Sequence, residues 1–88
     1  LRNRYDASIL TADRHFGRFL DELQRRGLYD NSILIVAADH GESHDYGFIG
    51  HSGPSVVEPI TRVPLIIHTP GSKTEKRIST LASQIDLA

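Results

Sequence analysis

Four residues that suggest metal binding or acid–base chemistry follow directly after an apolar stretch of the chain. The stretch covers residues 33–38, and Asp39, His40, Gly41 and Glu42 come next. A carboxylate oxygen and a neutral imidazole nitrogen together suit zinc, manganese or a similar divalent cation. The pattern therefore indicates a metal site at Asp39 and His40. An ordinary strand end, closed by an Asx turn and followed by a surface histidine, would give the same short motif.

The apolar stretch itself has the pattern of a strand that is buried on both faces. It shows no polar alternation, and it is too short for a typical helix. We expect a strand at Ser32–Ala38, and ligands of open α/β sheets bind at the carboxyl ends of such strands. Because neighbouring strand residues point to opposite faces, Asp39 and His40 can reach one ion only if the backbone turns. Gly41, which has no Cβ, permits that turn.

One helix and a second strand are predicted on either side of this region. Apolar residues at spacings of three and four predict a helix at Arg4–Arg26, which Gly27 ends. A second apolar run predicts a strand at Val63–His68, with Pro64 at its start because proline has no amide donor. We expect the two strands to be parallel and in one sheet. The residues expected in the core of the intact protein are Leu34, Ile35, Val36 and Ile66.

A long polar loop with three glycines separates the two apolar runs. It covers residues 43–55 and carries His44 and His51, and loops of this length after a strand are usually functional. His51 alone is compatible with a turn-capping histidine or with a binding residue. His15 lies among the polar positions of the helix and is expected to be solvated. His68 ends an apolar strand and is expected to be structural.

The composition is that of an ordinary globular protein and narrows the possible functions. The 88 residues are 39% hydrophobic and 24% charged, and they suffice for one small domain. A formal net charge of -1 gives no electrostatic case for nucleic acid or an anionic membrane surface. No apolar run approaches the roughly 20 residues that span a bilayer. The chain has no cysteine, so thiolate metal sites and a cysteine nucleophile are excluded within it. No feature indicates a cellular compartment.

The predicted elements are too few to cover the predicted sheet. Two strands that are buried on both faces need helices or other chain on both sides, and only one long helix is predicted. We therefore expect residues 1–88 to be part of a larger α/β domain.

Taken in order, these motifs resemble the sulfatase family of the alkaline phosphatase superfamily. The resemblance rests on Asp39-His40-Gly41-Glu42, Gly50-His51, Arg62-Val63-Pro64-Leu65-Ile66-Ile67 and Pro70-Gly71. It is supported by Tyr5, Asp13, Gly17 and Leu20 of the predicted helix and by the tail Ser83–Ala88. The resemblance covers nearly the whole chain. It implies an alkaline phosphatase-like α/β fold, with a mostly parallel sheet and flanking helices.

The resemblance also assigns roles to the residues that follow the first strand. Asp39 and His40 are expected to bind a divalent metal ion, which could be Ca, Mn, Zn or Mg. His51 matches a position that contacts the sulfate or phosphate group or the leaving-group oxygen. Glu42 and His44 are expected to support these residues or to belong to the loop. The family transfers a sulfuryl or phosphoryl group to an enzyme nucleophile and then to water or another acceptor, so a small sulfate or phosphate ester is the expected substrate.

Essential parts of the family pattern have no counterpart in this sequence. The family's nucleophile and its other acidic metal ligands lie upstream of the matched motifs. We therefore expect residues 1–88 to be an incomplete sulfatase-like catalytic domain that needs the remainder of that domain and is inactive alone. A metal-dependent sulfuric ester hydrolase is the first expectation. The alternatives are a phosphonate or phosphodiester hydrolase, a phosphoethanolamine-type transferase, and a non-catalytic scaffold segment.

Overall fold

The structure is a computed structural model that describes residues 2–45, 47–53 and 56–87. Two α-helices and two strands form its regular elements, with single 3-10 turns at Tyr29–Asn31 and Gln84–Leu87. In chain order the regular elements are α1 (Arg2–Arg25), β1 (Leu34–Ala37), α2 (Glu58–Thr61) and β2 (Leu65–His68).

The long helix α1 confirms the prediction from apolar spacing, with its end one residue earlier than expected. Gly27 follows the helix in the left-handed region at φ 68°, a conformation that glycine adopts without a Cβ clash. Its amide donates to the carbonyl of Gln24 at 2.9 Å, and the amide of Leu28 donates to the carbonyl of Leu23 at 2.9 Å. This is the Schellman arrangement that ends many helices. No helix in the described ranges has the length and apolar character of a membrane span.

Strands β1 and β2 form a two-stranded antiparallel sheet, so the prediction of parallel strands is wrong. Leu34 pairs with His68 at one end and Ala37 with Leu65 at the other. A parallel pair needs a crossover that carries the chain back to the first end of the sheet, usually through a helix. Here the described part of the connection contains only the four-residue helix α2. The chain stays at the carboxyl end of β1 and enters β2 from that end.

The sheet has one face towards α1 and one open face. Leu34 and Val36 are half-buried on the first face, where an apolar cleft of about 130 Å³ separates them from Phe16 and Leu20 of the helix. Ile35, which is 49% exposed, lies on the other face. None of the described hydrophobic residues is buried. The four residues expected in the core are therefore not buried by the described chain, because an open cleft separates α1 from Leu34, Val36 and Ile66 on one face and no described element covers Ile35 on the other.

Candidate active site

Asp39 and His40, the two predicted metal ligands, lie together just beyond the carboxyl end of β1. Oδ1 of Asp39 accepts a hydrogen bond from the backbone amide of His40 at 3.0 Å. Oδ2 of Asp39 lies 3.8 Å from Nε2 of His40. The Asp39 side chain is 90% exposed, so its carboxylate is accessible to a ligand. The structure therefore brings an anionic oxygen and an imidazole nitrogen to one accessible point.

A hydrogen bond to the backbone determines that Nδ1 of the His40 ring carries a proton. Nδ1 of His40 lies 2.9 Å from the carbonyl oxygen of Gly41. A carbonyl oxygen only accepts, so Nδ1 carries the proton, and it is Nε2 that faces Asp39 and offers a lone pair in the neutral ring. A neutral histidine whose second nitrogen is fixed in this way is the usual metal-binding form. The donor set of Asp39 and His40 thus fits a divalent cation.

Gly41 is required for a close approach and not for the turn that the sequence suggested. The φ angle of Gly41 is not positive, unlike that of four other described glycines. A Cβ at Gly41 would lie 1.8 Å from the carbonyl oxygen of Pro59. The amide of Gly41 also donates to the carbonyl of Ile60 at 2.7 Å. Helix α2 therefore packs against Gly41, the residue that follows the two predicted ligands.

A single antiparallel bridge closes the loop that follows. Ser43 and Gly50 exchange two backbone hydrogen bonds of 3.0 Å each. Ser43 is fully buried, and its hydroxyl donates to the carbonyl of Phe48 at 3.2 Å. Gly50 has a φ of 114°, which strongly favours glycine. The bridge returns the chain to the carboxyl end of β1, where His51 follows Gly50.

His51, predicted to contact the ester group, lies beside both His40 and Glu42. Its ring stacks on that of His40, with the centroids 4.2 Å apart and the planes 30° apart. Its Nδ1 lies 3.3 Å from Oε2 of Glu42. One ligand atom from each of His40, Glu42 and His51 lies within 4.8 Å of the others. The sequence predicted the neighbourhood of His40 and His51 through the family resemblance, but it gave Glu42 only a general supporting role.

The other histidines pack elsewhere. His44 contacts Tyr5 of α1 edge-on, with the ring centroids 5.2 Å apart. His68 stacks on Tyr29 at 4.4 Å, but its buried Nε2 has no hydrogen-bond partner among the described residues, so the expectation of a satisfied structural histidine is not met there. His15 is exposed on α1. His44, on the loop of the site, therefore contacts α1.

Gln84 is a residue of this region that sequence reasoning missed. Its side-chain amide donates to the carbonyl oxygen of Ala38 and, at 3.3 Å, to that of Asp39. The two bonds fix the backbone at the point where β1 ends. The tail that contains Gln84 contributed to the family resemblance, but no local pattern links residues that are 45 positions apart.

An ion-pair cluster at the end of α1 is separate from the site. Hydrogen bonds from Arg25 and then Arg26 hold the pKa of the Glu22 carboxyl below its ordinary value. Glu22 in turn raises the pKa of Arg25. These side chains are largely exposed. Because they lie at the end of α1, the cluster stabilises that helix end and has no part in the chemistry at β1.

Comparison with known proteins identifies the family to which this arrangement belongs. The family model described as Sulfatase matches residues 1–88. The chain belongs to the sulfatase family. Its fold is accordingly of the α/β, alkaline phosphatase-like type, and the resemblance inferred from the motifs is confirmed.

Relatives that are named as sulfatases and as a lipoteichoic acid synthase-like protein match most of this sulfatase-family chain. The lipoteichoic acid synthase-like YvgJ of Bacillus subtilis is 30% identical over 97 residues, covering 99% of the chain and 16% of that protein. The endo-4-O-sulfatase of Bacteroides thetaiotaomicron is 32% identical over 77 residues, covering 88% and 15%. The N-acetylglucosamine-6-O-sulfatase of the same organism is 32% identical over 89 residues, covering 96% and 15%. The chain spans about one sixth of the length of these curated relatives. No solved structure gives a significant match.

Proposed function

We propose that residues 1–88 are part of the catalytic domain of a metal-dependent sulfuric ester hydrolase. The observation that carries this proposal is the convergence of Asp39, His40 and His51 at the carboxyl end of β1. The match to the sulfatase family and the two sulfatase-named relatives support it. A small sulfate ester is the proposed substrate, and the remainder of the domain is the proposed partner of this segment.

Asp39 and His40 would hold the divalent ion, which is Ca, Mn, Zn or Mg. When bound, such an ion supplies positive charge that favours ionisation of the nucleophile and offsets negative charge on the ester oxygens. Asp39 contributes an accessible carboxylate. His40 contributes Nε2, because its Nδ1 proton is held by the Gly41 carbonyl. Both residues follow a strand, and the bonds from Gln84 fix the backbone between them and that strand.

His51 is proposed to contact the ester. Glu42 holds its Nδ1, so Nε2 lies on the opposite edge of the ring and remains able to meet a ligand. The side chain is 52% exposed, which leaves room for that approach. When both ring nitrogens carry a proton, Nε2–H stabilises or protonates the departing oxygen as the sulfur–oxygen bond breaks, and Nδ1–H stays on Glu42. The nucleophile and the further acidic ligands are proposed to come from the remainder of the domain.

The open face of the β1–β2 sheet supports the proposal of a larger domain. Ile35 and Ile67, which face each other across the strands, are each about half exposed there. We propose that this antiparallel pair is one part of a mostly parallel sheet with flanking helices. Further elements of that domain would cover the open face, since exposed apolar faces of this kind usually mark an interface.

Phosphoryl transfer is the second candidate function. A relative named as lipoteichoic acid synthase-like matches the chain at 30% identity, close to the values for the sulfatase-named relatives. The pair of Asp39 and His40 suits a phosphate ester as well as a sulfate ester. The candidate activities are those of a phosphonate or phosphodiester hydrolase and of a phosphoethanolamine-type transferase. A scaffold segment without chemistry is the remaining alternative.

An ester panel assayed with the complete protein distinguishes these functions. The panel contains an aryl sulfate, the matched aryl phosphate and phosphonate, and an aryl phosphodiester, each with one leaving group. The proposal predicts preferred hydrolysis of the sulfate and its loss in Asp39→Ala. Asp30→Ala is the matched control, because Asp30 is exposed at the opposite end of β1. Preference for a phosphorus ester would establish the second candidate. A metal-loaded protein that hydrolyses none of the four would indicate a transferase or a scaffold.

A further inference from the structure

Glu42 and His51 form a side-chain pair at the edge of the site. We propose that Glu42 is a positioning residue that orients the imidazole of His51 towards the ester. This inference rests on the proposed function, because His51 is there the residue that contacts the ester.

The contact itself fixes which edge of the ring is free. Oε2 of Glu42 lies 3.3 Å from Nδ1 of His51. A carboxylate accepts hydrogen bonds, so the pair places the Nδ1 proton towards Glu42 and leaves Nε2 at the opposite edge. The Glu42 side chain is 24% exposed and that of His51 is 52% exposed. The carboxylate is therefore the more enclosed partner, and the ring is the one that reaches solvent.

The backbone brings the two residues together. Ser43 and Gly50 pair in the antiparallel bridge, and Glu42 and His51 are the next residues outward on the two chain segments. The fully buried Ser43 anchors this bridge. Glu42 also lies close to the backbone of Gly50. A Cβ at Gly50 would be 3.7 Å from Oε1 of Glu42. The pairing of Glu42 with His51 therefore follows from the register of the loop.

A second contact restrains the same ring from its face. His40 stacks on His51 with centroids 4.2 Å apart, and His40 is held by its own bond to the Gly41 carbonyl. Stacking restrains the plane of the His51 ring but does not select which nitrogen points outward. Glu42 supplies that selection through Nδ1. The two contacts together give His51 one orientation relative to the predicted metal ligands.

The choice of leaving group can separate positioning from a general structural effect. A donor to the departing oxygen matters most for a poor leaving group and little for an activated one. A displacement of about 1 Å in a reacting group can cost on the order of 100-fold in rate. Loss of Glu42 should therefore slow the hydrolysis of an alkyl or sugar ester and leave that of a nitrophenyl ester nearly unchanged.

The kinetic test compares Glu42→Ala with Glu42→Gln in the complete protein. For Glu42→Ala we expect kcat to fall on the order of 10- to 100-fold with the alkyl ester, and by less than about threefold with the nitrophenyl ester. Glu42→Gln keeps an acceptor oxygen and should recover most of the loss. Asp45→Ala, an exposed acid of the same loop, is the control and should match the wild type. Equal losses with both esters, or wild-type rates with both, would overturn the proposal.

Two measurements that do not depend on turnover complete the test. Nitrogen-15 NMR of histidine-labelled wild type should show His51 protonated at Nδ1, and Glu42→Ala should give a mixture of the two tautomers. A wild-type ring protonated at Nε2 alone, without the Nδ1 proton, overturns the pairing. Metal content should be unchanged in Glu42→Ala, and a loss as large as that in His40→Ala would instead identify Glu42 as a metal ligand. A wild type that hydrolyses no ester refutes the proposed function, whereas the NMR result decides the pairing independently.

Discussion

Gly41 and Pro59 lie so close together that no side chain fits at residue 41. A Cβ there would lie 1.8 Å from the Pro59 carbonyl oxygen, far inside van der Waals contact. The neighbouring bond from the Gly41 amide to Ile60 measures 2.7 Å. Helix α2 is thus fixed to the segment that carries the predicted metal ligands, and any change of residue 41 moves one relative to the other.

Gly41→Ala is expected to destabilise the complete protein and to weaken metal binding. Backbone atoms must move to admit the methyl group, which costs roughly 1–3 kcal/mol in overpacked sites. Gly17→Ala is the control, because no described atom beyond its chain neighbours and the local helix backbone lies within 4 Å of its Cβ position and alanine is the better helix former. Chemical denaturation and metal titration measure both effects. Wild-type stability and metal affinity in Gly41→Ala would contradict the close approach.

Gln84→Ala is expected to loosen the backbone between β1 and the predicted ligands. The substitution removes the donor to the carbonyls of Ala38 and Asp39. Loss of such an outer hydrogen bond lowers metal affinity on the order of tenfold or more. Gln24→Ala, on the exposed surface of α1, is the control. Competition with a chelator measures the affinity, and equal values for both variants would show that Gln84 has no part in holding the site.

Ile35→Ala tests whether the open sheet face is covered in the complete protein. Ile35 is 49% exposed in the described chain. If further elements cover it, the substitution should lower the free energy of unfolding by roughly 2–5 kcal/mol. Leu81→Ala, at a position that is 98% exposed and outside the sheet, should cost much less. A loss below about 0.5 kcal/mol for Ile35→Ala, within the range of ordinary surface changes, would mean that the face stays open.

The sequence predicted best what depends on neighbouring residues. Apolar spacing located α1, and two apolar runs located β1 and β2 with ends a few residues shorter than expected. Strand direction was wrong because it depends on the path of the connection, in which Gly41 binds Ile60 and keeps the chain at one end of β1. An uninterrupted apolar run does not encode that path.

The same distinction separates the parts of the candidate site. Asp39 and His40 are adjacent in sequence, so their pairing was visible as a motif. The contact of Glu42 with His51 depends on the register that the Ser43–Gly50 bridge sets, and apolar patterns do not report a register inside a polar loop. The bonds from Gln84 join segments 45 residues apart. Such contacts follow only from the three-dimensional path of the chain.

Metal analysis of the complete protein tests whether Asp39 and His40 bind a divalent metal ion. Asp39→Ala removes the anionic ligand and His40→Ala the neutral one, whereas Asp30→Ala removes a carboxylate at the other end of β1. We expect a bound divalent ion in the wild type and in Asp30→Ala, with much lower content in the other two variants and an unchanged circular dichroism spectrum. Full metal content in Asp39→Ala and His40→Ala would show that neither residue is a ligand and that the motif is an ordinary strand end closed by an Asx turn.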